Sequence, residues 1–318
     1  MLPNVFPAAG DGASGQPWSE GEDAFGPAFT VDEPVSIVSP LVFASPHSGR
    51  RYPDGFMEGV STDLLKLRRI EDAFVDRLLG RVPVSGAPVI CALIGRAVVD
   101  LNRSEKELDA DMYYNAPRNW AGRKSHRVSA GLGCIPRVAW NGTPIYSRKL
   151  SANEAEARLE HIHRPYHRAL EALLRRAQAM FGKTWLIDCH SMPSDAGGGG
   201  RADIVLGNRF GASCDNAITD FVEDWFKKCG YRVERNTPYA GGYATVRHGA
   251  LATGREALQI EIRRSLYLNE EKVEPHEGLA VLRDRLGELA TELRNFTRDA
   301  LGLPALRPQA PTAEAHTA

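Results

Sequence analysis

Apolar residues along this 318-residue chain change their spacing from segment to segment, and those changes mark out elements. Leu41, Val42, Phe43 and Ala44 form a continuous apolar run stopped by Ser45 and Pro46, the pattern of a strand covered on both faces. Over residues 62–79 apolar side chains recur at Leu64, Leu67, Ile70, Phe74 and Leu78, which predicts a helix. Residues 89–93 and 97–101 are again short apolar runs, predicted as strands on either side of Ile94-Gly95-Arg96. Ser151, followed three residues later by Glu154, is a capping-box signature that opens a long helix running to about Phe181. Strands are predicted over 184–189, 203–206, 231–235 and 257–262, with helices over 214–228 and 277–301.

Strands and helices in alternation predict an α/β fold with a largely parallel sheet and helices on both faces. The chain shows no internal repeat and no second apolar core. We therefore expect one catalytic domain over 34–302. Before it lies a flexible lead-in, 1–33, rich in Gly, Pro, Ala and Ser, and after it a tail, 303–318, with three prolines. In folds of this class a ligand sits beyond the carboxyl ends of the strands. Four stretches follow predicted strands: Ser45-Pro46-His47-Ser48-Gly49, Asn102-Arg103, His190-Ser191-Met192-Pro193 and Arg263.

Composition narrows the partners. Lys and Arg number 39 against 40 Asp and Glu, a formal net charge of -1, which speaks against a nucleic-acid or membrane-surface protein. No apolar run approaches the ~18 residues of a membrane span. The first cation is Arg50, so no basic segment starts a signal peptide, and the expected compartment is the cytoplasm. Five widely spaced cysteines without a C-x-x-C pair imply neither a disulfide framework nor a cysteine zinc site. The balance is uneven, however. Residues 1–49 hold six acids and no Lys or Arg, leaving 39 cations against 34 acids in the rest, and 31 of the cations are arginine. A guanidinium is the natural partner of a carboxylate, so arginines at strand ends are candidates for an acidic ligand.

His47 and His190 each leave a strand in a polar turn, and two imidazoles plus one carboxylate make the open site of a catalytic metal such as zinc. Glu71 and Asp72, on the predicted helix after the His47 turn, can either of them supply the carboxylate. Asp188 shares a strand face with His190 and suits support of an imidazole N–H. Glu261 stands in the apolar strand Leu258-Gln259-Ile260-Glu261-Ile262. Burial should raise its pKa towards neutrality and make it a general base, the alternative being an ion pair with Arg263 or Arg264. Asn102-Arg103 can grip a carboxylate, and Arg96 can stabilise an oxyanion or a second carboxylate. The turn from Asn236 to Tyr243, with Tyr239, Gly241 and Gly242, suits either a flap over substrate or a plain surface loop, and the polar, aromatic segment 104–147 is expected to wrap the pocket mouth. The glycine run 197–200 lacks the flanks of a phosphate loop, and no G-x-S-x-G elbow occurs.

In these stretches the chain resembles the N-formylglutamate amidohydrolase family. The resemblance runs from about Pro40 to Asn269. It is carried by Ser45-Pro-His-Ser-Gly49, Glu71-Asp72, Val98-Val-Asp-Leu-Asn-Arg103, Arg164-Pro-Tyr-His167, Asp188-Cys-His-Ser-Met-Pro-Ser194, Asp203-Ile-Val-Leu-Gly-Asn208, Asn236-Thr-Pro-Tyr239 and Gln259-Ile-Glu-Ile262. It implies a phosphorylase/hydrolase-like three-layer sandwich around a mixed sheet, similar to zinc carboxypeptidases and aspartoacylase. It also implies His47 and His190 as zinc ligands, Glu261 as general base and Asn102-Arg103 as the substrate-carboxylate clamp. The carboxypeptidase H-x-x-E spacing is absent after His47, and related amidohydrolases point to Asp72 as the acidic ligand with Glu71 as the alternative. The implied reaction is zinc-dependent hydrolysis of N-formyl-L-glutamate to formate and L-glutamate, as in histidine degradation. From the residues themselves, the two carboxylates of the glutamyl part would need cationic partners, Arg103 first and Arg96 or Arg263 second, with Tyr239 and Tyr243 as candidate contacts from the expected flap. Two rivals remain: an amidase or carboxypeptidase for another N-acyl amino acid or a cell-wall peptide, and a non-catalytic binder of acidic ligands.

Overall fold

A computed structural model of the chain describes residues 25–120, 124–196 and 202–306. Seven strands form one sheet: β1 (Phe29–Asp32), β2 (Leu41–Ser45), β3 (Val89–Ala92), β4 (Thr184–Met192), β5 (Ile204–Gly207), β6 (Val233–Arg235) and β7 (Arg255–Arg263). Their order is β1-β3-β2-β4-β7-β5-β6. The central pairs β3-β2, β2-β4 and β4-β7 are parallel, as is β5-β6, while β1-β3 and β5-β7 are antiparallel. The sheet is thus mixed and largely parallel, as the alternating pattern predicts.

Side-chain alternation along the central strands separates two apolar layers. Leu41, Phe43, Trp185, Ile187, Cys189, Leu258, Ile260 and Ile262 pack with residues of α3 (Val75–Leu78), α7 (Asn216–Lys228) and α9 (Gly278–Ala300). On the other face Val42, Ala44, Leu186 and Ala257 pack with α5 (Ala152–Arg158), a π-helical turn at Leu159–His163, and α6 (Arg164–Phe181). That second face is apolar only in the N-terminal halves of β4 and β7. Towards their carboxyl ends it carries Asp188, His190, Gln259 and Glu261, and the functional side chains gather there. The short helices α1 (Asp54–Met57), α2 (Leu64–Arg68), α4 (His126–Ser129) and α8 (Tyr243–His248) lie in the connections.

Three expectations are corrected. The segment 25–33 is not all lead-in, because β1 pairs with the edge of β3. That pairing explains a second difference. Residues 97–101 form turns rather than a strand, since the β3 edge is already taken. Ala97, Val98, Val99 and Leu101 are nonetheless buried in the core. Third, the helix expected over 62–79 is broken into α2 and α3 with residues 69–74 outside either, and Phe74 has φ 65°. The apolar period was correct for burial of Leu67, Phe74 and Leu78, but the chain leaves the helix where Glu71 and Asp72 occur. Residues 104–147 contribute Leu108, Met112, Tyr113, Ile135, Ile145 and Tyr146 to the core. Residues 1–24, the glycine run 197–200 and residues 307–318 of the tail lie outside the described residues. Among the described residues no helix is long and apolar enough to cross a membrane.

The capping box at Ser151 forms as predicted: Ser151 Oγ accepts from Glu154 N at 3.1 Å, and Glu154 Oε2 accepts from Ser151 N at 2.7 Å. Ser151→Ala should cost about 1 kcal/mol of stability, read as a lower urea midpoint at unchanged slope. An unmoved midpoint would show that tertiary packing alone fixes this helix start.

Candidate metal centre and active site

The turn after β2 brings its backbone against the end of β3, with Arg50 N and Arg51 N donating to Leu93 O at 3.1 and 3.0 Å. Gly49 is required there, since a Cβ would lie 2.2 Å from Ile94 O. His47 is thereby fixed 2% exposed above the sheet. The break between α2 and α3 reaches the same place. Asp72 N donates to His47 O at 3.0 Å, so the two residues are tied by backbone as well as by side chain.

His47, Asp72 and His190 present their donor atoms to one another within 4.8 Å, all buried. Asp72 Oδ2 lies 2.8 Å from His190 Nδ1 and 3.3 Å from His47 Nδ1. Each imidazole is held from its far side by another carboxylate, Asp100 Oδ1 at 2.6 Å from His47 Nε2 and Asp188 Oδ2 at 3.0 Å from His190 Nε2. A proton on each Nε2 leaves both Nδ1 lone pairs facing Asp72. His47 Nδ1 is buried without a hydrogen-bond partner among the described residues. Two nitrogen lone pairs and one carboxylate oxygen, with one lone pair orphaned, fit a divalent cation.

The charges agree. Asp72, Asp100, Asp188 and Glu261 bring four buried carboxylates together, and the guanidinium groups in contact with them are Arg96 on Asp100 at 2.6 Å and Arg264 on Asp72 at 3.2 Å. Burial opposes a charge on His190, but Asp188, Asp72 and Glu261 outweigh it and hold its pKa well above the ordinary histidine value. The carboxylates therefore demand positive charge at this imidazole. A divalent cation on Nδ1 satisfies the same demand.

Glu261 is the register partner of His190 across the parallel β4-β7 pair, on the same face. It is 7% exposed, and burial, reinforced by Asp72 and Asp188 against the pull of His190, pushes its carboxyl up to about 7. No ion pair joins it to Arg263 or Arg264 among the described residues; its Oε1 accepts from Gln259 Nε2 at 2.8 Å. A carboxylate poised near neutrality beside the His47–Asp72–His190 donors can take up and return a proton.

The other expected residues divide. Glu71 stands apart from the donors: its Oε1 accepts from Tyr52 at 2.5 Å and its Oε2 lies 3.5 Å from Arg68. Arg96 spends Nη2 on Asp100. Asn102 places Nδ2 3.2 Å from His190 Nε2 while its Oδ1 accepts from Ala244 N at 2.8 Å. Arg103 folds back, with Nη1 on Asn102 O at 2.8 Å and Nε on Leu132 O at 3.3 Å. Arg263, two residues beyond Glu261 on the same face, gives Nε to Ala202 O at 2.8 Å and keeps Nη2 buried without a partner among the described residues. Tyr239 packs on Met192, Ala202 and Val205, and burial, with Glu261 and Asp72 nearby, raises its hydroxyl pKa. Tyr243 turns elsewhere, its ring 5.3 Å from His167 and its hydroxyl accepting from Arg247. The two residues that sequence reasoning gave no role are Asp100 and Arg264. Asp100 sits inside the quoted Val98-Val-Asp-Leu-Asn-Arg103 stretch, which was the available signal; Arg264 was weighed only as a partner for Glu261. A cleft of about 320 Å³ opens beside the site, lined by Arg68, Glu71, Trp140, Ser194, Arg264 and Glu270 among others.

A sequence profile for N-formylglutamate amidohydrolases matches residues 39–268. The N-formylglutamate deformylase of Pseudomonas putida is 30% identical over 237 residues, covering 73% of this chain and 82% of that one. That of Pseudomonas aeruginosa is 29% identical over 238 residues, covering 73% and 83%. The crystal structure of N-formylglutamate amidohydrolase from Ralstonia eutropha JMP134 superposes with a TM-score of 0.81 at 35% identity, covering 86% of this chain and 99% of that one. A gene product of Agrobacterium tumefaciens shares the fold, with a TM-score of 0.65 at 19% identity over 87% and 98% of the two chains.

Removing the carboxylate behind His47, by Asp100→Asn, should weaken metal binding about tenfold to a hundredfold in a chelator competition. Asp72→Ala should abolish stoichiometric binding, and Glu71→Gln should leave it intact. The reverse order for Asp72 and Glu71 would move the acidic ligand to Glu71.

Proposed function

The chain belongs to the N-formylglutamate amidohydrolase family, and on that premise we propose that it hydrolyses the formamide bond of N-formyl-L-glutamate to formate and L-glutamate. The observation that carries the reading is the pairing of Glu261 with the His47–Asp72–His190 donors on one buried face, side by side in the β4-β7 register.

His47 Nδ1, His190 Nδ1 and one oxygen of Asp72 would hold a zinc ion, with Asp100 and Asp188 fixing the imidazole tautomers and Arg264 fixing Asp72. When bound, zinc polarises the formyl carbonyl and lowers the pKa of water. Glu261 takes a proton from the attacking water as its oxygen bonds to the formyl carbon. It then delivers that proton to the amide nitrogen as the C–N bond breaks, so that formate and the amine of glutamate leave. Arg96 supplies positive charge close to the negative charge that develops on the formyl oxygen. The buried, unpartnered Nη2 of Arg263 and the Asn102-Arg103 pair suit the two carboxylates of the glutamyl part, and Tyr239 closes the space between them.

Release of formate and glutamate from this substrate suits the last step of a histidine-degradation route. A cytoplasmic setting agrees with five unpaired cysteines, four of them buried. The cleft lined by Arg264, the guanidinium partner of Asp72, favours one second reading, an amidase for an N-acyl amino acid with a larger acyl group.

Formate release should be fast with N-formyl-L-glutamate and at least tenfold slower with N-acetylglutamate and N-formylaspartate. Exhaustive chelation should abolish it and zinc should restore it. A preference for the acetyl substrate would support the second reading, and activity that survives chelation would exclude the metal. Glu261→Gln should lower kcat on the order of 10²- to 10⁴-fold at unchanged metal content. A pure ligand-binding protein would keep its affinity for the substrate and show no turnover to lose. Arg103→Ala and Arg263→Ala should each raise KM about tenfold or more with smaller changes in kcat; an unmoved KM would place the carboxylate contacts elsewhere.

A further inference from the structure

The Arg164-Pro165-Tyr166-His167 stretch has no part in the metal site or the proton transfer, yet it lies under the segment that delivers Asn102 and Arg103. Residues 101–103 belong to no strand, so their carbonyls have no sheet partner. Two imidazoles meet that need. His163 Nε2 is 2.9 Å from Arg103 O, and His167 Nε2 is 2.9 Å from Leu101 O. A carbonyl only accepts, so each ring carries a proton on Nε2. Both rings are 1% exposed.

His163 closes the π-helical turn and His167 follows four residues later, which puts both on one side of the helix. π-helical turns occur frequently at functional sites. The two rings pack at 4.6 Å between centroids, and His167 Nδ1 lies 3.2 Å from His248 Nε2, which fixes the His167 tautomer from behind. The carbonyls they bind stand one residue to either side of Asn102.

Asn102 is fixed by everything round it. Its backbone N donates to Asp100 Oδ1 at 2.9 Å and its Oδ1 accepts from Ala244 N, which leaves Nδ2 beside His190 Nε2 at 3.2 Å without a hydrogen bond between the two donors. A Cβ at position 242 would lie 2.2 Å from that Nδ2, so glycine alone fits there. Arg103 is bound to the same backbone through Asn102 O. A shift of the two imidazole-held carbonyls therefore moves the amide and the guanidinium together.

We propose that His163 and His167 are positioning residues for substrate binding, two neutral donors that clamp the carbonyls flanking Asn102 and so set Asn102 and Arg103 against a substrate carboxylate. The inference rests on the proposed role of Asn102-Arg103 in holding that carboxylate. Core packing alone would require only rings of similar size. Positioning requires a donor at Nε2, and the two requirements separate in experiment.

The test compares His163→Gln and His167→Gln, whose amides can donate from about the same place, with His163→Phe and His167→Phe, which cannot. Kinetics on N-formyl-L-glutamate are read with the zinc-loaded full chain, beside metal content and thermal midpoint. The Phe variants should raise KM about tenfold or more, with kcat within about threefold and full metal content, and the Gln variants should return to within about threefold of the parent KM. Should a Phe variant not fold, His163→Asn and His167→Asn take its place, their amides being too short to reach the carbonyls. Unchanged KM in the donor-free variants, or equal losses in Gln and Phe variants that follow the thermal midpoint, overturns the proposal. Arg103→Ala separates the two levels: if its KM is unchanged, the carboxylate-clamp reading fails and takes this inference with it. If its KM rises while the histidine variants do not respond, only the positioning role fails.

Discussion

Asp72 is the contact on which the rest of the site depends. One of its oxygens faces the Nδ1 atoms of His47 and His190, the other accepts from Arg264, and its backbone N–H binds His47 O. Burying a carboxylate costs several kcal/mol unless its partners are also buried and well placed. The surrounding groups supply them in a fixed sequence: arginine to Asp72, Asp72 to the imidazoles, and Asp100 and Asp188 to the far nitrogens. Arg96 then neutralises Asp100. Among the described residues, the Asp72, Asp100 and Asp188 carboxylates and a Glu261 poised near neutrality meet the guanidinium groups of Arg96 and Arg264, and a divalent cation would supply both the missing positive charge and a partner for the orphaned His47 Nδ1.

The fold arranges this by withholding regular structure where the site needs side chains to converge. Strands β4 and β7 are regular along their length, and their parallel register sets Glu261 beside His190. The helical segment before β3 is broken, and the break turns Asp72 back to His47. Residues 97–103 form no strand and so are free to bring Asp100 to one imidazole and Asn102 to the other. The helix beneath them carries a π-helical turn at its junction. Each irregular segment leaves backbone groups to be satisfied: Asp100 and two buried histidines do it at 101–103, and Arg264, Tyr267 and the His47 carbonyl do it at 69–73. Rigidity in these irregular segments therefore comes from side-chain hydrogen bonds, while the β4-β7 register holds His190 and Glu261.

Much of this was legible from residue patterns. Unbroken apolar runs gave β2 and β3, apolar stretches interrupted by single polar residues gave β4 and β7, and the capping box at Ser151 gave the start of the helical stretch that ends in α6, because burial and helix starts leave their pattern in consecutive residues. His47, His190 and Glu261 stood out as polar residues at strand ends or within an apolar strand. Two of the errors share one cause. Residues 97–101 and 62–79 are apolar because they are buried, and burial was taken for regular structure. Strand β1 was missed although Phe29-Thr30-Val31-Asp32 alternates, because four residues with Phe29 and Val31 only half-buried are too short a signal beside a Gly- and Pro-rich lead-in.

Sequence by itself determined the α/β class, the strand ends that carry chemistry and the family to which the chain belongs, since local periodicity and short motifs are written in consecutive residues. Tertiary structure alone decided that Asp72 and not Glu71 joins the histidines, that Asp100 and Arg264 complete their support, and that Tyr243 turns to a different cluster. Those choices depend on where a broken helix and two irregular loops point their side chains. Adjacent residues such as Glu71 and Asp72 differ there only in direction, a property fixed by backbone torsions and by contacts up to 192 residues away, as between Asp72 and Arg264.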